Sequence, residues 1–168
     1  MIKEKVRDAI NAQIAKEMYS SNLYLAMSSY YKSMNLNGFA NWMRIQAQEE
    51  TFHAMKFFDY LLDRGGEVQL AQIDAPTMKW DSPLAAFVAA LAHEEMITES
   101  INSIAEVAMN EKDFATSSFL QWFIDEQVEE EATTGEIVDR LKMAQGSQGA
   151  LFMLDTELKA RVFTAPTA

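Results

Sequence analysis

Four long stretches of this chain carry an apolar stripe at helical spacing, and each stripe is broken near its middle by a residue that can bind a metal ion. From about Lys3 to Met34 the inward series is Ile10, Ile14, Glu17, Ser21, Tyr24, Ser28 and Tyr31. From about Phe39 to Arg64 it is Met43, Ala47, Glu50, His53 or Ala54, Phe57 and Leu61. From Ser82-Pro83 to about Asn110 it is Leu84, Phe87, Leu91, Glu94, Thr98, Ile101 and Ala105. A fourth stretch, reaching about Ala144, gives Leu120, Phe123, Gln127, Glu130, Thr134, Ile137 and Leu141. The polar interruptions fall roughly 11–17 residues into their helices, so alternating helix direction still brings them to one level.

The breaks between these stretches set the topology. Asn35-Leu36-Asn37-Gly38 ends the first helix, and Gly65-Gly66 is a C-cap signal for the second. Residues 67–81, with Pro76, form a longer connection before Ser82 as N-cap and Pro83 at the first helical position. Lys112 and Asp113 mark a short turn, and Gly146 and Gly149 bracket a break before a short amphipathic segment, Leu151 to Val162. Helices of ~28 residues are ~42 Å long, which suits a bundle. Loops in the order short, long, short predict two antiparallel pairs joined by one crossover. The expectation is an all-α four-helix bundle over residues 1–145, a short fifth helix within 146–163 packed on it, and a loose tail at 164–168.

Composition supports this and narrows the function. Half the chain is hydrophobic, with ten Phe, eleven Met and three Trp, enough for a sizeable core. A net charge of −11 argues against binding a nucleic-acid backbone and suits cationic partners. The absence of cysteine excludes disulfides, zinc thiolates and iron–sulfur clusters. Neither a signal peptide nor a transmembrane span is visible, so a cytoplasmic location is expected.

Glu17, Glu50, Glu94 and Glu130 converging in one core would repel each other, and like charges there cannot all stay ionised without cations. Bound divalent metal resolves the repulsion. Carboxylate oxygens with one imidazole and no sulfur suit Fe, Mn or sometimes Zn. One turn apart on one face, Glu50 and His53 lie together, which makes Glu50 the natural bridge. Glu17, Glu50 and His53 would hold one ion; Glu50, Glu94 and Glu130 would hold a second. Too few protein ligands remain to saturate two ions, which leaves positions open for water or dioxygen.

Glu17, Tyr24, Glu50-x-x-His53, Glu94 and Gln127, in this order on four helices with a short fifth, resemble a ferritin of the haem-free bacterial type, along the whole chain. The resemblance implies the one-crossover topology of ferritin-like bundles. It also implies a ferroxidase centre that oxidises Fe(II) with dioxygen or peroxide, and a 24-subunit cage that stores the ferric mineral. By position, Glu17, Glu50 and His53 look like the first iron site, Glu50 and Glu94 with Glu130 like the second, and Gln127 like a polar neighbour. Glu49, Glu126, Glu129 and Glu130 match a third iron site, and Tyr24 matches a tyrosine implicated as an electron donor. Glu131 reads as part of a solvated acidic face, and Trp122 chiefly as packing.

Departures separate the relatives. A bacterioferritin would place a second Glu-x-x-His where Gln127-Val128-Glu129-Glu130 stands, and a haem-ligating Met where Thr51 stands, so no haem is expected. Rubrerythrin would need a cysteine-bearing domain. Two rival functions remain: a di-iron or di-manganese oxidase or peroxide scavenger without storage, and a cage merely stabilised by structural metal. The first helix carries a second apolar stripe, Tyr19, Leu23, Met27, Tyr30 and Met34, which must bury against another subunit, under the 67–81 connection, or both. Asp113 is a candidate channel residue. Gly135, inside the fourth helix, suggests a close contact or local bend.

Overall fold

In the computed structural model, which describes residues 1–164, five helices follow one another: α1 Glu4–Ser33, α2 Asn37–Asp63, α3 Pro83–Asn110, α4 Phe114–Met143 and α5 Gln148–Leu158. Local chemistry explains most of the boundaries. Ser82 Oγ accepts from Ala85 N at 3.0 Å with Pro83 at the first turn, as the sequence predicts. Gly65, at φ 67°, ends α2, with Gly66 N donating back to Leu61 O at 2.9 Å. Asp113 caps α4 by accepting from Thr116 N at 3.2 Å. Ser147 caps α5, starting it at Gln148 and ending it at Leu158, earlier at both ends than the expected Leu151–Val162. The tail expected at 164–168 lies, from residue 165 on, outside the described residues.

Hydrogen bonds across helices fix their directions. Ser28 Oγ donates to Ala40 O at 2.7 Å and Ser21 Oγ to Ala47 O at 2.8 Å, so α1 and α2 are antiparallel. Tyr31 OH reaches Pro83 O at 2.7 Å while Ser100 Oγ reaches Gln13 Oε1 at 2.5 Å, so α1 and α3 are antiparallel too. Therefore α2 and α3 run the same way, and the chain between them must travel back along the bundle. It does so along α1. Asn11 holds its start, donating to Glu67 O at 3.0 Å and accepting from Gln69 N at 2.7 Å. Trp80, near its end, packs edge-on against Tyr30 with ring centres 5.2 Å apart. The crossover thus covers part of the second stripe of α1: Leu23 and Met27 are buried, and Tyr19, Tyr30 and Met34 half-buried.

The core is in two parts. One apolar cluster is built around Tyr24, Met27, Tyr31, Phe39, Met43 and Phe87; the other around Ile10, Ile14, Phe57, Leu61, Ile101 and Phe123. Between them lies a layer of buried polar side chains. The expected inward series of α2 and α4 are buried throughout. In α3, by contrast, Ala90, His93, Ile97 and Ile104 are buried while Leu84, Leu91, Thr98 and Ala105 are only half-buried. The buried face keeps the same average spacing, through Phe87, Ala90, Glu94, Ile97, Ile101, Ile104 and Ala108, and lies one residue earlier than the expected stripe at alternate positions. Among the described residues, no helix is long and apolar enough to cross a membrane.

The fifth helix docks through a cap it supplies to another helix. Leu36, preceding α2, has no side chain able to cap, and Asp155 Oδ1 of α5 instead accepts from Gly38 N at 2.7 Å and Phe39 N at 3.1 Å. The approach is so close that a Cβ on Gly38 would land on the Asp155 carbonyl oxygen. Gly135 differs: a Cβ there meets nothing within 4 Å, so the close contact its position suggested is not found within the subunit. Gly135→Ala is therefore expected to stabilise the subunit by about 1 kcal/mol. Gly38→Ala is expected to destabilise it and unseat α5. Denaturant unfolding of both variants at fixed protein concentration checks the opposite signs.

Candidate metal centre

The buried polar layer is where the four interrupted stripes meet. Glu17 comes from α1, Glu50 and His53 from α2, Glu94 from α3, and Gln127 and Glu130 from α4; none is more than 5% exposed. Ligand atoms of Glu17, Glu50 and His53 all lie within 4.8 Å of one another. His53 Nδ1 stands 3.5 Å from Glu50 Oε2. Glu17 Oε1 accepts from Gln13 Nε2 at 2.9 Å, while its Oε2 is buried with no hydrogen-bond donor. A buried carboxylate oxygen without a donor, facing a carboxylate and an imidazole, fits a cation by its chemistry.

The remaining carboxyls are held one by one. Tyr24 OH donates to Glu94 Oε1, and Gln127 Nε2 lies 3.3 Å from Glu94 Oε2. Gln46 Nε2 donates to both Glu130 Oε2, at 2.7 Å, and Glu50 Oε1, at 3.1 Å. Among the described residues the expected grouping of Glu50, Glu94 and Glu130 at metal-ligand spacing is not formed; the two Glu94 oxygens are bonded to Tyr24 and Gln127. Glu130 instead joins His53 and Glu126 within 4.8 Å. Of the four residues matched to a third site, then, Glu126 and Glu130 come together. Glu49 is ion-paired with Arg161, and Glu129 is exposed.

Burial is the main force on these groups. It pushes the carboxyls of Glu17, Glu50, Glu94 and Glu130 up to about 8, with mutual repulsion adding to it. The Tyr24 phenol is raised well above its ordinary range by burial and by Glu94. The His53 ring sits edge-on to Trp122 and Phe123, at 5.5 and 5.9 Å between ring centres, so Trp122 forms part of the wall around the imidazole. Two side chains depart from their sequence reading. Glu131 accepts a hydrogen bond from Thr98 Oγ1 and is only half-exposed. Asp113 is buried in an ion pair with Arg64 at 3.0 Å, which makes it a structural tie at the end of the bundle.

Four residues that hold or flank the centre escaped the sequence reading. Gln13 and Gln46 each stand four residues before a ligand, Glu17 and Glu50, and that spacing could have revealed them. His93 is buried beside Ser20 Oγ at 2.7 Å, and burial pushes it down to about 4, so it is a neutral core histidine. Arg161 lies beyond the end of α5, and no pattern in the sequence ties it to α2.

Fold and site together define an all-α bundle with a buried, carboxylate-rich layer whose residues could hold metal. Residues 7–144 match the family model described as Ferritin, a ferritin-like domain. A bacterial non-heme ferritin of Bacteroides fragilis is 45% identical over 161 residues, covering 96% of this chain and all of that protein. One from Staphylococcus epidermidis is 39% identical over 163 residues, covering 97% of this chain and 98% of that protein. Among solved structures, an open-pore ferritin from the hyperthermophilic archaeon Archaeoglobus fulgidus is 51% identical. It superposes with a TM-score of 0.96 over 96% of this chain and all of that one. The chain belongs to the ferritin family, and iron storage is the function that membership supports.

Raised carboxyl values make stability depend on pH in a definite direction. Below the ordinary carboxyl value of 4.5 both folded and unfolded chains hold these protons. As pH rises toward 8 the unfolded chain loses them first, so folding is progressively disfavoured. The metal-free protein is therefore expected to lose stability between about pH 5 and pH 8, and Glu94→Gln to flatten that slope. Denaturant midpoints measured across the range test both; stability that rises through this window contradicts the assignment.

Proposed function

We propose that the chain is a ferroxidase subunit of a cytoplasmic iron store, with residues 1–145 as its working bundle domain. In this reading Fe(II) is the substrate. Glu17, Glu50 and His53 take the first Fe(II), and Glu50 bridges to a second held by Glu94 and Glu130. Gln127 donates to the Glu94 carboxyl and is its polar neighbour at the edge of the site. A third iron sits with Glu126 and Glu130, drawing on Glu49 and Glu129. The observation that carries the reading is the set of four carboxyls from four helices buried in one layer, with Glu17 Oε2 left without a donor.

The protein's own groups account for the chemistry asked of them. Each carboxyl gives up a proton as Fe(II) replaces it, so binding is favoured as pH rises. Two Fe(II) each surrender one electron, and the pair of electrons with two protons reduces dioxygen to hydrogen peroxide or hydrogen peroxide to two waters; hard carboxylate oxygens favour the ferric product. The apolar clusters on either side keep bulk water from the layer. In this reading Tyr24 gives a further electron to the same oxidant, its proton passing to Glu94, to which its hydroxyl is bonded.

Storage needs an enclosure, and the family supplies a 24-subunit homo-oligomer as its form. In support, Leu70, Phe114, Val128, Met143 and Phe152 are exposed on the single chain, apolar side chains available to an interface between copies.

Glu50→Ala and His53→Ala are expected to slow aerobic Fe(II) oxidation at least about 10-fold, the low end of what losing even a supporting residue costs a metal site. Both should keep the assembled mass by light scattering. Variants that lose assembly together with metal binding would favour a purely structural metal. An oxidase that turns over a few irons per subunit and builds no soluble ferric core would exclude storage.

A further inference from the structure

The clearest feature left unused lies where the chain beyond α5 returns to α2. Asn41 Nδ2 pins the Arg161 backbone by donating to its carbonyl oxygen at 2.9 Å and to that of Lys159 at 3.3 Å. The guanidinium carbon then stands 4.2 Å above the centre of the Trp42 ring. Its Nη1 donates to Gln46 Oε1 at 2.9 Å and its Nη2 is ion-paired with Glu49. Both partners of that pair are about one-fifth exposed, at 21% and 20%. Gln46 is the same amide that donates to Glu50 and Glu130. A fixed positive charge is thereby joined to the metal centre through one side chain.

We infer that Arg161 is a built-in competitor for the third metal position: its guanidinium holds the Glu49 carboxylate, and a third ion at Glu126 and Glu130 recruits Glu49 only by displacing it. The inference rests on the proposed reading of Glu49 as a third-iron ligand. Its physical basis is that one carboxylate cannot serve two cations at full strength. Glu49 directly precedes Glu50 and is already held by the guanidinium, so an ion that takes it must break that pair. The coupling is reciprocal: what the ion loses by prising Glu49 from Arg161, the segment after α5 loses in grip when the ion binds. Occupation of the third position would thus be signalled in the loosening of residues 159–164.

The test uses Zn(II), which is redox-inert, titrated by calorimetry into the assembled wild type, Arg161→Gln, and Arg161→Gln combined with Glu49→Gln. Removing the guanidinium should tighten the weakest class of site about 10-fold or more, equivalent to roughly 1.4 kcal/mol. The two tighter classes should be unchanged, and adding Glu49→Gln should cancel the gain. In the wild type, hydrogen exchange of residues 159–164 should quicken on Zn(II) loading. Unchanged or weaker binding of the weakest class in Arg161→Gln, with the tighter classes intact, overturns the role of Arg161 alone. So does exchange at 159–164 that is indifferent to metal. Loss of Zn(II) binding at every class, in the wild type as well, overturns the metal-centre reading on which the inference stands.

Discussion

Everything in this fold is arranged around one electrostatic difficulty: Glu17, Glu50, Glu94 and Glu130 are buried in a single layer between two apolar clusters. No such arrangement forms for its own stability, because desolvation and mutual repulsion both act against it. The long helices supply enough apolar contact above and below the layer to hold it in place. Stacked Phe57 and Phe123, 3.9 Å apart, and stacked Tyr31 and Phe39, 5.2 Å apart, lie in the two clusters that flank it. The layer is thus the part of the molecule that packing does not explain, and its carboxylates and imidazole are of the kind that hold a metal ion.

The carboxyls are also individually restrained. Gln13 on Glu17, Gln46 on Glu50 and Glu130, and Tyr24 and Gln127 on Glu94 each remove some of the freedom a carboxylate would otherwise lose on binding an ion. Supporting hydrogen bonds of this kind orient ligands and tune their basicity. The fifth helix belongs to the same scheme. Asp155 caps α2 through Gly38 and Phe39, and the chain beyond α5 brings Arg161 to Gln46 and Glu49. One end of α2 is therefore fixed by a helix whose following residues reach the edge of the metal layer.

Much of this was legible in the sequence, for identifiable reasons. Period and punctuation gave the five helices and the crossover, because Gly65, Ser82 and Pro83 act locally and little tertiary context overrides them. The meeting of Glu17, Glu50 and His53 was foreseeable from spacing, which brings inward-facing residues of neighbouring helices to one level. What the sequence left open depends on side-chain rotation and distant partners. The bonds of Glu94 to Tyr24 and Gln127 join side chains of three helices, which spacing along one helix does not specify. The buried face of α3 lies one residue earlier than expected at alternate positions and takes in His93. The pairing of Glu49 with Arg161 spans 112 residues, and no periodicity encodes such a contact.

The proposed bridging of two metal ions by Glu50 is open to direct test in crystals soaked anaerobically with Fe(II), with anomalous diffraction recorded at the iron edge. Two strong peaks are expected between the four helices, one against Glu17 and His53 and one against Glu94 and Glu130, with the two oxygens of Glu50 divided between them. A Glu50 that touches only one ion, or carboxyls that keep their present hydrogen bonds with no iron among them, would contradict that bridging.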